Sequence, residues 1–365
     1  MGEHPIIPDY GGACICNLVP ALIEAGKEAD WLPGEVRKAR TTVLLVLDGL
    51  GWEQLTDRRH LARNITEMRC DRITTVAPST TATAMTSLTT GLPPGEHGVV
   101  GYRIHVRDEV LNVLRWSTLR GDARDLIPPA MLQPRSAFGG TVPPVVTRAE
   151  FSETGFTGAH LSRVRFHGYR VPSTLVTEVA RLVRSGERFV YGYYDGVDKV
   201  AHEYGLGAEF DAELEFVDFM VSTLLERLPS GTAVVITSDH GQVHVGDRLL
   251  TPAPAVLELT RFQSGEARFR WLHARDGAEK DLLEAARENH EDVAWVKSRD
   301  ELIEEGWFGP RVTPAAASAM GDVALVAREP IAFVEPTDTG PYELVGRHGS
   351  LTAAEMYVPL LVGVV

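Results

Sequence analysis

The chain has 365 residues, of which 44% are hydrophobic and 24% are charged, and its formal net charge is −14. This composition is that of a soluble globular protein, and the negative charge argues against a nucleic-acid polymer or an anionic membrane surface as partner. The three cysteines do not make a disulfide framework, and the lack of a membrane-length apolar run predicts a cytoplasmic protein.

The first strong element is a buried strand that ends at a carboxylate. Thr42–Gly49 is rich in valine and leucine, which is typical of a strand covered on both faces. Asp48 stands at its carboxyl end, and open α/β sheets bind their ligands at that edge. The sequence therefore predicts a ligand site at the end of this strand.

A loop with three hydroxyl side chains follows, and it leads into a helix. Ser79 and Thr80 precede a stretch of small residues, Thr81–Thr90, which predicts a helix with Gly91 as its stop. The start of a helix is positive and offers free N–H groups to a phosphate. A nucleophilic hydroxyl is therefore expected at this position.

Residues 103–170 carry many arginines and prolines with weak periodicity, which predicts an insertion over the site. The next buried strand, Phe189–Tyr194, leads into Asp195 and Asp198. Asp198 and His202 are four residues apart, so one helical face carries both side chains.

Ala233–Ser238 is a further buried run, and Asp239 and His240 follow it directly. Residues 250–320 read as a β-α-β-α unit, for which we predict a small lid subdomain. The runs Asp322–Ala327 and Val358–Val364 are predicted to return to the core sheet.

The last polar cluster follows a more irregular stretch, Tyr342–Arg347, which leads into His348 and Gly349. The clusters after the predicted strands thus converge on one sheet edge. They supply six oxygen or nitrogen ligands: Asp48, Asp198, His202, Asp239, His240 and His348.

Two ions with three protein ligands each would keep open coordination positions, as a catalytic site needs. Mixed aspartate and histidine sets suit zinc or manganese better than magnesium or calcium. Two such ions stabilise the attacking and leaving oxygens of a displacement at phosphorus. The pattern therefore predicts a metal-dependent hydrolase.

Each motif alone has a simpler interpretation, as a turn, an exposed helical pair or a helix cap. The prediction depends on their joint order after successive strands. Five other histidines are assigned structural or surface roles: His97, His105, His160, His167 and His244.

The motif order resembles the alkaline phosphatase superfamily, and it is most similar to its type I phosphodiesterase/nucleotide pyrophosphatase branch. The blocks that carry the resemblance are Asp48-Gly49, Pro78-Ser79-Thr80-Thr81, Thr90–Gly98, Asp198/His202, Ser238–Gly241 and Gly346–Gly349. The resemblance implies one α/β domain over 1–365, with a mostly parallel central sheet flanked by helices.

The resemblance also implies the roles of individual residues. Thr81 would be the nucleophile and form a phospho-threonine intermediate that water hydrolyses. Tyr102 stands where the branch has a phosphate-binding asparagine. One metal would be held by Asp48, Thr81, Asp239 and His240, and the other by Asp198, His202 and His348.

The implied substrate is a small nucleotide bound by a monomer or dimer. Similarity to actinobacterial phosphodiesterases favours hydrolysis of cyclic di-AMP to AMP. The alternatives are a nucleotide pyrophosphatase, a phosphomonoesterase or phosphonate hydrolase on the same scaffold, and a non-catalytic nucleotide sensor. No ligand or hydroxyl of the motif is missing, which argues against the sensor.

Overall fold

The computed structural model describes residues 4–24, 29–337 and 343–365. Its α-helices are α1 (Ile15–Ile23), α2 (Gly34–Lys38), α3 (Trp52–Asp57), α4 (Arg63–Glu67), α5 (Thr81–Thr90), α6 (Pro94–His97), α7 (Pro129–Leu132), α8 (Gly155–His160), α9 (Pro172–Arg184), α10 (Gly196–Tyr204), α11 (Ala208–Arg227), α12 (Pro254–Leu259), α13 (Glu279–His290), α14 (Arg299–Glu304), α15 (Pro314–Ser318) and α16 (Ala353–Met356). Short 3-10 helices occupy Ala137–Gly140 and Ala149–Phe151.

The strands in the same ranges are β1 (Thr41–Leu47), β2 (Arg69–Thr74), β3 (Arg103–Val106), β4 (Glu109–Asn112), β5 (Ser117–Thr118), β6 (Gly121–Asp122), β7 (Pro144–Arg148), β8 (Arg165–Tyr169), β9 (Phe189–Tyr194), β10 (Thr232–Thr237), β11 (Val243–His244), β12 (Leu249–Leu250), β13 (Thr260–Glu266), β14 (Phe269–Ala274), β15 (Ala294–Ser298), β16 (Val323–Ala327), β17 (Ala332–Phe333), β18 (Gly346–Arg347) and β19 (Tyr357–Val364). Within these described residues, no helix has the length and apolar character needed to cross a bilayer.

The central sheet has seven strands in the order β2-β19-β10-β1-β9-β7-β8. Strand β1 pairs in parallel with β10 and with β9, so Thr42 lies beside both Ala233 and Phe189. Only β19 runs against its neighbours β10 and β2. This sheet confirms the predicted α/β class with a mostly parallel sheet.

Helices cover both faces of the sheet, and the side chains of β1 alternate between them. Leu44 and Val46 pack on the face that α1 and α5 cover. Val43 and Leu45 pack on the opposite face, against residues of α9 and α11. Each fully buried valine or leucine contributes about 1.5–3 kcal/mol through burial of its apolar surface. The double cover explains why Val43–Leu47 of β1 is an unbroken apolar run.

The predicted insertion over 103–170 needs a correction. Strands β3 to β6 do form a separate four-stranded sheet. However, β7 and β8 pair in parallel and belong to the central sheet. They were missed because β8, at the sheet edge, is half-exposed and mixed in composition, and β7 begins with a proline.

The region predicted as a lid contains a second sheet with its own core. Strands β13, β14, β16 and β15 form it in that order, and all of its pairs are antiparallel. The prediction that Asp322–Ala327 joins the core sheet is wrong, because β16 lies inside this smaller sheet. A short buried apolar run looks the same in either sheet. The lid role itself stays a prediction.

Candidate active site

The carboxyl edge of the central sheet gathers the predicted ligands. Asp48 follows β1, and its N–H donates to the carbonyl of Tyr194 at the end of β9, at 2.9 Å. Asp239 and His240 follow β10, while Asp198 and His202 lie on α10. The reversed direction of β19 brings the segment before it, with His348, to this same edge. The start of the predicted stretch Tyr342–Arg347 lies outside the described residues.

The first group of side chains surrounds the imidazole of His240. Its Nε2 lies 3.6 Å from Oδ1 of Asp48 and 3.3 Å from Oδ2 of Asp239. The hydroxyl oxygen of Thr81 is 3.1 Å from the same nitrogen. Asp48, Asp239 and His240 are all buried. Four of the predicted ligands therefore share one buried space.

The second group adjoins the first. Nε2 of His202 lies 3.3 Å from Oδ1 of Asp198 and 3.2 Å from Nε2 of His348. The rings of His240 and His348 stack with their centroids 3.5 Å apart. Asp198, His240 and His348 also present ligand atoms within 4.8 Å of one another. The sequence assigned His240 to the first group alone, whereas in the structure it contacts both.

Each of the three imidazoles is oriented by a backbone carbonyl. The Nδ1 atoms donate to carbonyl oxygens at 2.7–3.0 Å, for His202 to Gly346, for His240 to Gly241 and for His348 to Ser79. A proton on Nδ1 leaves Nε2 with its lone pair directed into the cluster. This arrangement is the usual orientation of metal-binding histidines.

The carboxylates are also held in place by neighbouring groups. The hydroxyl of Tyr193 donates to Oδ2 of Asp48, and the amide of Gln242 donates to Oδ1 of Asp198 at 2.6 Å. Oδ1 of Asp239 accepts from the backbone of Gly49 at 3.1 Å. Among the described residues, Oδ1 of Asp48 and Oδ2 of Asp239 have no hydrogen-bond partner. Two buried oxygens thus stay open to a cation.

The electrostatics of the cluster also favour cations. Burial, and then the charges of Asp239 and Asp198, raise the pKa of Asp48 well above its ordinary value. Burial raises the pKa of Asp198 to about 6 and lowers that of His240 to about 3. Buried carboxylates this close resist ionisation without a counter-charge. Divalent cations would supply that charge, so the donor set fits a metal centre.

Two of the three candidate hydroxyls, those of Ser79 and Thr81, have different surroundings. Thr81 is the first residue of α5, and the positive φ of 72° at Gly91 ends this helix as predicted. The hydroxyl of Ser79 donates to the carbonyl of Ser350 at 2.7 Å, which fits a structural role. Thr81, in contrast, meets His240 and lines the adjoining cavity.

Tyr102 makes hydrogen bonds with its hydroxyl and with its backbone N–H. Its hydroxyl accepts from the side-chain amide of Asn112 at 2.5 Å, and its N–H donates to Glu266 at 2.8 Å. It is not among the residues that line the cavity beside Thr81. The phosphate-binding role of Tyr102 therefore stays a prediction.

A cavity of about 250 Å³ opens beside the cluster, with Asp48, Thr81 and Asp198 on its wall. Much of the remaining lining is apolar or aromatic, and it includes Met85, Leu114, Phe151, Phe156, His160, Tyr191 and Tyr193. The rings of Phe156 and His160 stack at 3.9 Å. The sequence had assigned His160 a structural or surface role, since nothing local marks a ring that lines a cavity.

Comparisons with known proteins identify the family and the fold of this chain. The profile of a family described as type I phosphodiesterase/nucleotide pyrophosphatase matches residues 42–351. No curated protein matches by sequence.

Among solved structures, human ectonucleotide pyrophosphatase/phosphodiesterase 5 is 16% identical, with a TM-score of 0.69, over 88% of this chain and 87% of that chain. Its murine counterpart is 14% identical with a TM-score of 0.68 and the same coverage. Phosphonoacetate hydrolase from Sinorhizobium meliloti 1021 in complex with phosphonoformate is 17% identical, with a TM-score of 0.67, over 89% of this chain and 90% of that chain. At these identities the likeness establishes a shared fold.

Proposed function

Because this chain belongs to the type I phosphodiesterase/nucleotide pyrophosphatase family, in the alkaline phosphatase superfamily, we propose that it is a two-metal phosphodiesterase of nucleotides with Thr81 as its nucleophile. The observation that carries the proposal is the position of the Thr81 hydroxyl. Its oxygen lies 3.1 Å from Nε2 of His240, one of the candidate metal ligands, and Thr81 lines a cavity with aromatic walls.

We assign the metal ligands as the sequence motifs suggest. Asp48, Thr81, Asp239 and His240 would hold one ion, and Asp198, His202 and His348 the other. Zinc and manganese both suit this donor set. When bound, the two ions would offset the buried carboxylate charge, acidify the hydroxyl and stabilise charge on the phosphoryl oxygens.

The chain itself supplies the nucleophile and its orientation. The Thr81 hydroxyl loses its proton and its oxygen forms a bond to phosphorus, while the bond from phosphorus to the leaving oxygen breaks and that oxygen takes up a proton to leave as an alcohol. A phosphoryl group bound to Thr81 would lie at the start of α5, where the free N–H groups of the helix favour its negative charge. Water then cleaves the phospho-threonine and returns the hydroxyl. Thr81 stands at the first helical position, so this orientation comes from the backbone.

The cavity supports a nucleotide substrate. Apolar and aromatic walls suit a nucleobase, which stacks on flat side chains. The volume of about 250 Å³ lies just below the range of about 300–1,000 Å³ typical of ligand pockets. This size suits one nucleoside. Cyclic di-AMP, the substrate we favour, would then keep its second half outside the cavity.

A phosphonate hydrolase is the second candidate, and Lys199 favours it. This lysine lines the cavity, and its ammonium group lies 2.5 Å from Asp195. A small substrate with a second anionic group would find a cation there. The solved phosphonoacetate hydrolase complexes contain ligands of this kind.

A hydrolysis panel tests the proposal. Metal-stripped protein is supplemented with zinc or manganese and given bis-p-nitrophenyl phosphate, p-nitrophenyl phosphate, cyclic di-AMP, linear di-adenylate, ATP and phosphonoacetate. We expect diester hydrolysis, with AMP as the product from cyclic di-AMP, and no turnover by Thr81→Ala. Preference for the monoester, release of phosphate from phosphonoacetate, or full activity of Thr81→Ala would each contradict the proposal.

A further inference from the structure

We infer that the ion pair of Arg268 and Glu355, outside the metal cluster, is a positioning device for the loops that carry His348 and His240. This inference rests on the metal ligands assigned under the proposed function. Arg268 belongs to the turn between β13 and β14 of the smaller sheet, and Glu355 lies on α16. The pair therefore joins the smaller sheet to the metal-binding edge of the central sheet.

Arg268 is fully buried, and its donors are directed at oxygen atoms. Nε and Nη2 donate to the two carboxylate oxygens of Glu355 at 2.8 and 2.9 Å. Nη1 donates to the carbonyls of Glu329 and Ile331 at 2.9 and 2.8 Å. This bidentate geometry fixes the carboxylate in one orientation. A lysine at this position would lack the planar fork.

Glu355 is fully buried as well, and it contacts the loops of two ligands. Its Oε1 accepts from the N–H of Ser350, two residues after His348, at 2.9 Å. Its backbone carbonyl accepts from the N–H of Gly241, directly after His240, at 2.9 Å. One residue thus anchors both segments at their backbones.

The loop that carries His348 is also hydrogen-bonded to the segment before Thr81. The hydroxyl of Ser79 donates to the carbonyl of Ser350 at 2.7 Å and accepts from the N–H of Gly349 at 3.2 Å. The carbonyl of Ser79 orients the ring of His348 at 2.9 Å. Loss of the Glu355 acceptor would leave a buried N–H of Ser350 without its partner and free this loop to shift.

A purely stabilising ion pair is the simpler interpretation. Replacing both members of a buried ion pair with apolar residues is often neutral for stability. The hydrogen bond from the N–H of Ser350 to Glu355 distinguishes this pair, because it holds the loop that carries His348. The two interpretations differ in what an uncharged acceptor at position 355 would restore.

Two double variants distinguish the positioning role from a purely stabilising one. Arg268→Met/Glu355→Leu removes the ion pair and the acceptor, whereas Arg268→Met/Glu355→Gln removes the ion pair but keeps a side-chain oxygen for Ser350. The matched control is Arg165→Met/Glu187→Leu, because that exposed pair is also bidentate, at 2.6 and 2.7 Å. Zinc affinity and stoichiometry are measured on metal-stripped full-length protein by competition with a chromophoric chelator. Circular dichroism shows which variants are folded.

We expect the Leu variant to bind zinc about 10- to 100-fold more weakly, as for other groups that orient metal ligands. The Gln variant and the control are expected to stay within about threefold of the wild type, well below that range. Equal affinities of the folded Leu and Gln variants would overturn the inference. A wild type that binds no zinc or manganese would overturn the proposed function and this inference together.

Hydrogen exchange in the metal-free wild type provides a test that does not depend on the folding of any variant. We expect slow exchange of the amides of Ser350 and Gly241, because both donate to Glu355 in the structure without an ion. Fast exchange at these two amides would contradict the positioning role, even if every variant failed to fold.

Discussion

Replacing Tyr193 with phenylalanine removes one hydrogen bond from the proposed metal centre and changes little else. The Tyr193 hydroxyl donates to Oδ2 of Asp48 from within the cavity wall. Burial raises the pKa of Asp48 well above its ordinary value, and this hydrogen bond opposes the shift. Without it, a proton competes better with the cation for Asp48, so metal affinity should fall.

The size of the effect follows from the chemistry of the bond. A hydrogen bond to a charged group is worth about 1.5–3 kcal/mol. Since about 1.4 kcal/mol corresponds to a factor of ten, we expect zinc to bind the Tyr193→Phe variant about 10- to 140-fold more weakly. The ring stays in place, so the metal-free variant should keep its fold.

Tyr191→Phe is the matched control for this measurement. Tyr191 lies two residues earlier on β9 and lines the same cavity, but among the described residues its hydroxyl hydrogen-bonds to the sulfur of Met85, at 4.0 Å, and not to Asp48. Zinc affinity is measured for both variants by competition with a chromophoric chelator. The reasoning is refuted if the two variants bind zinc equally tightly.

Three further outcomes are expected. Thr81→Ala should lower kcat by more than about 1,000-fold in a steady-state assay and still bind nucleotide in calorimetry, whereas Thr80→Ala should stay active. An inactive Thr80→Ala beside an active Thr81→Ala would assign the nucleophile to Thr80. Phe156→Ala should raise KM for a nucleotide diester by about 5- to 150-fold, the value of one lost stacking contact, but not KM for bis-p-nitrophenyl phosphate; equal effects on both substrates would argue against base stacking. Burial raises the pKa of Asp198 to about 6, so the stability that its neutral form gives the metal-free protein is lost as pH rises through that value. The gain in Tm on adding zinc should therefore grow between about pH 5 and pH 7. A gain in Tm that stays constant over this range would contradict the expectation.

The sequence predicted the parts of the site that follow buried strands. The predicted strand Phe189–Tyr194 is observed with those bounds, and Ala233–Ser238 differs by one residue at each end. Strands covered on both faces give long apolar runs, so their ends are sharp in the sequence. Asp48 and Asp239 could therefore be located as strand-end carboxylates from the order of residues alone.

The rest depends on contacts between distant segments. Phe156 and His160 line the cavity because α8 packs beside α5, and no periodicity of the chain encodes that contact. Arg268 and Glu355 are 87 residues apart, and an arginine near a glutamate in space leaves no local pattern. Edge strand β8 was missed since a half-exposed strand lacks an apolar run.

The reversed direction of β19 has a consequence for biosynthesis. The ligands of the first proposed ion are complete once His240 has been translated, whereas the second ion needs His348, roughly 100 residues and 5 to 20 s later at usual elongation rates. Until β19 emerges from the ribosome, the edge of β10 stays unpaired and open to wrong partners. The nascent chain should therefore acquire its two metals in a fixed order, with the second ion bound only after the central sheet closes.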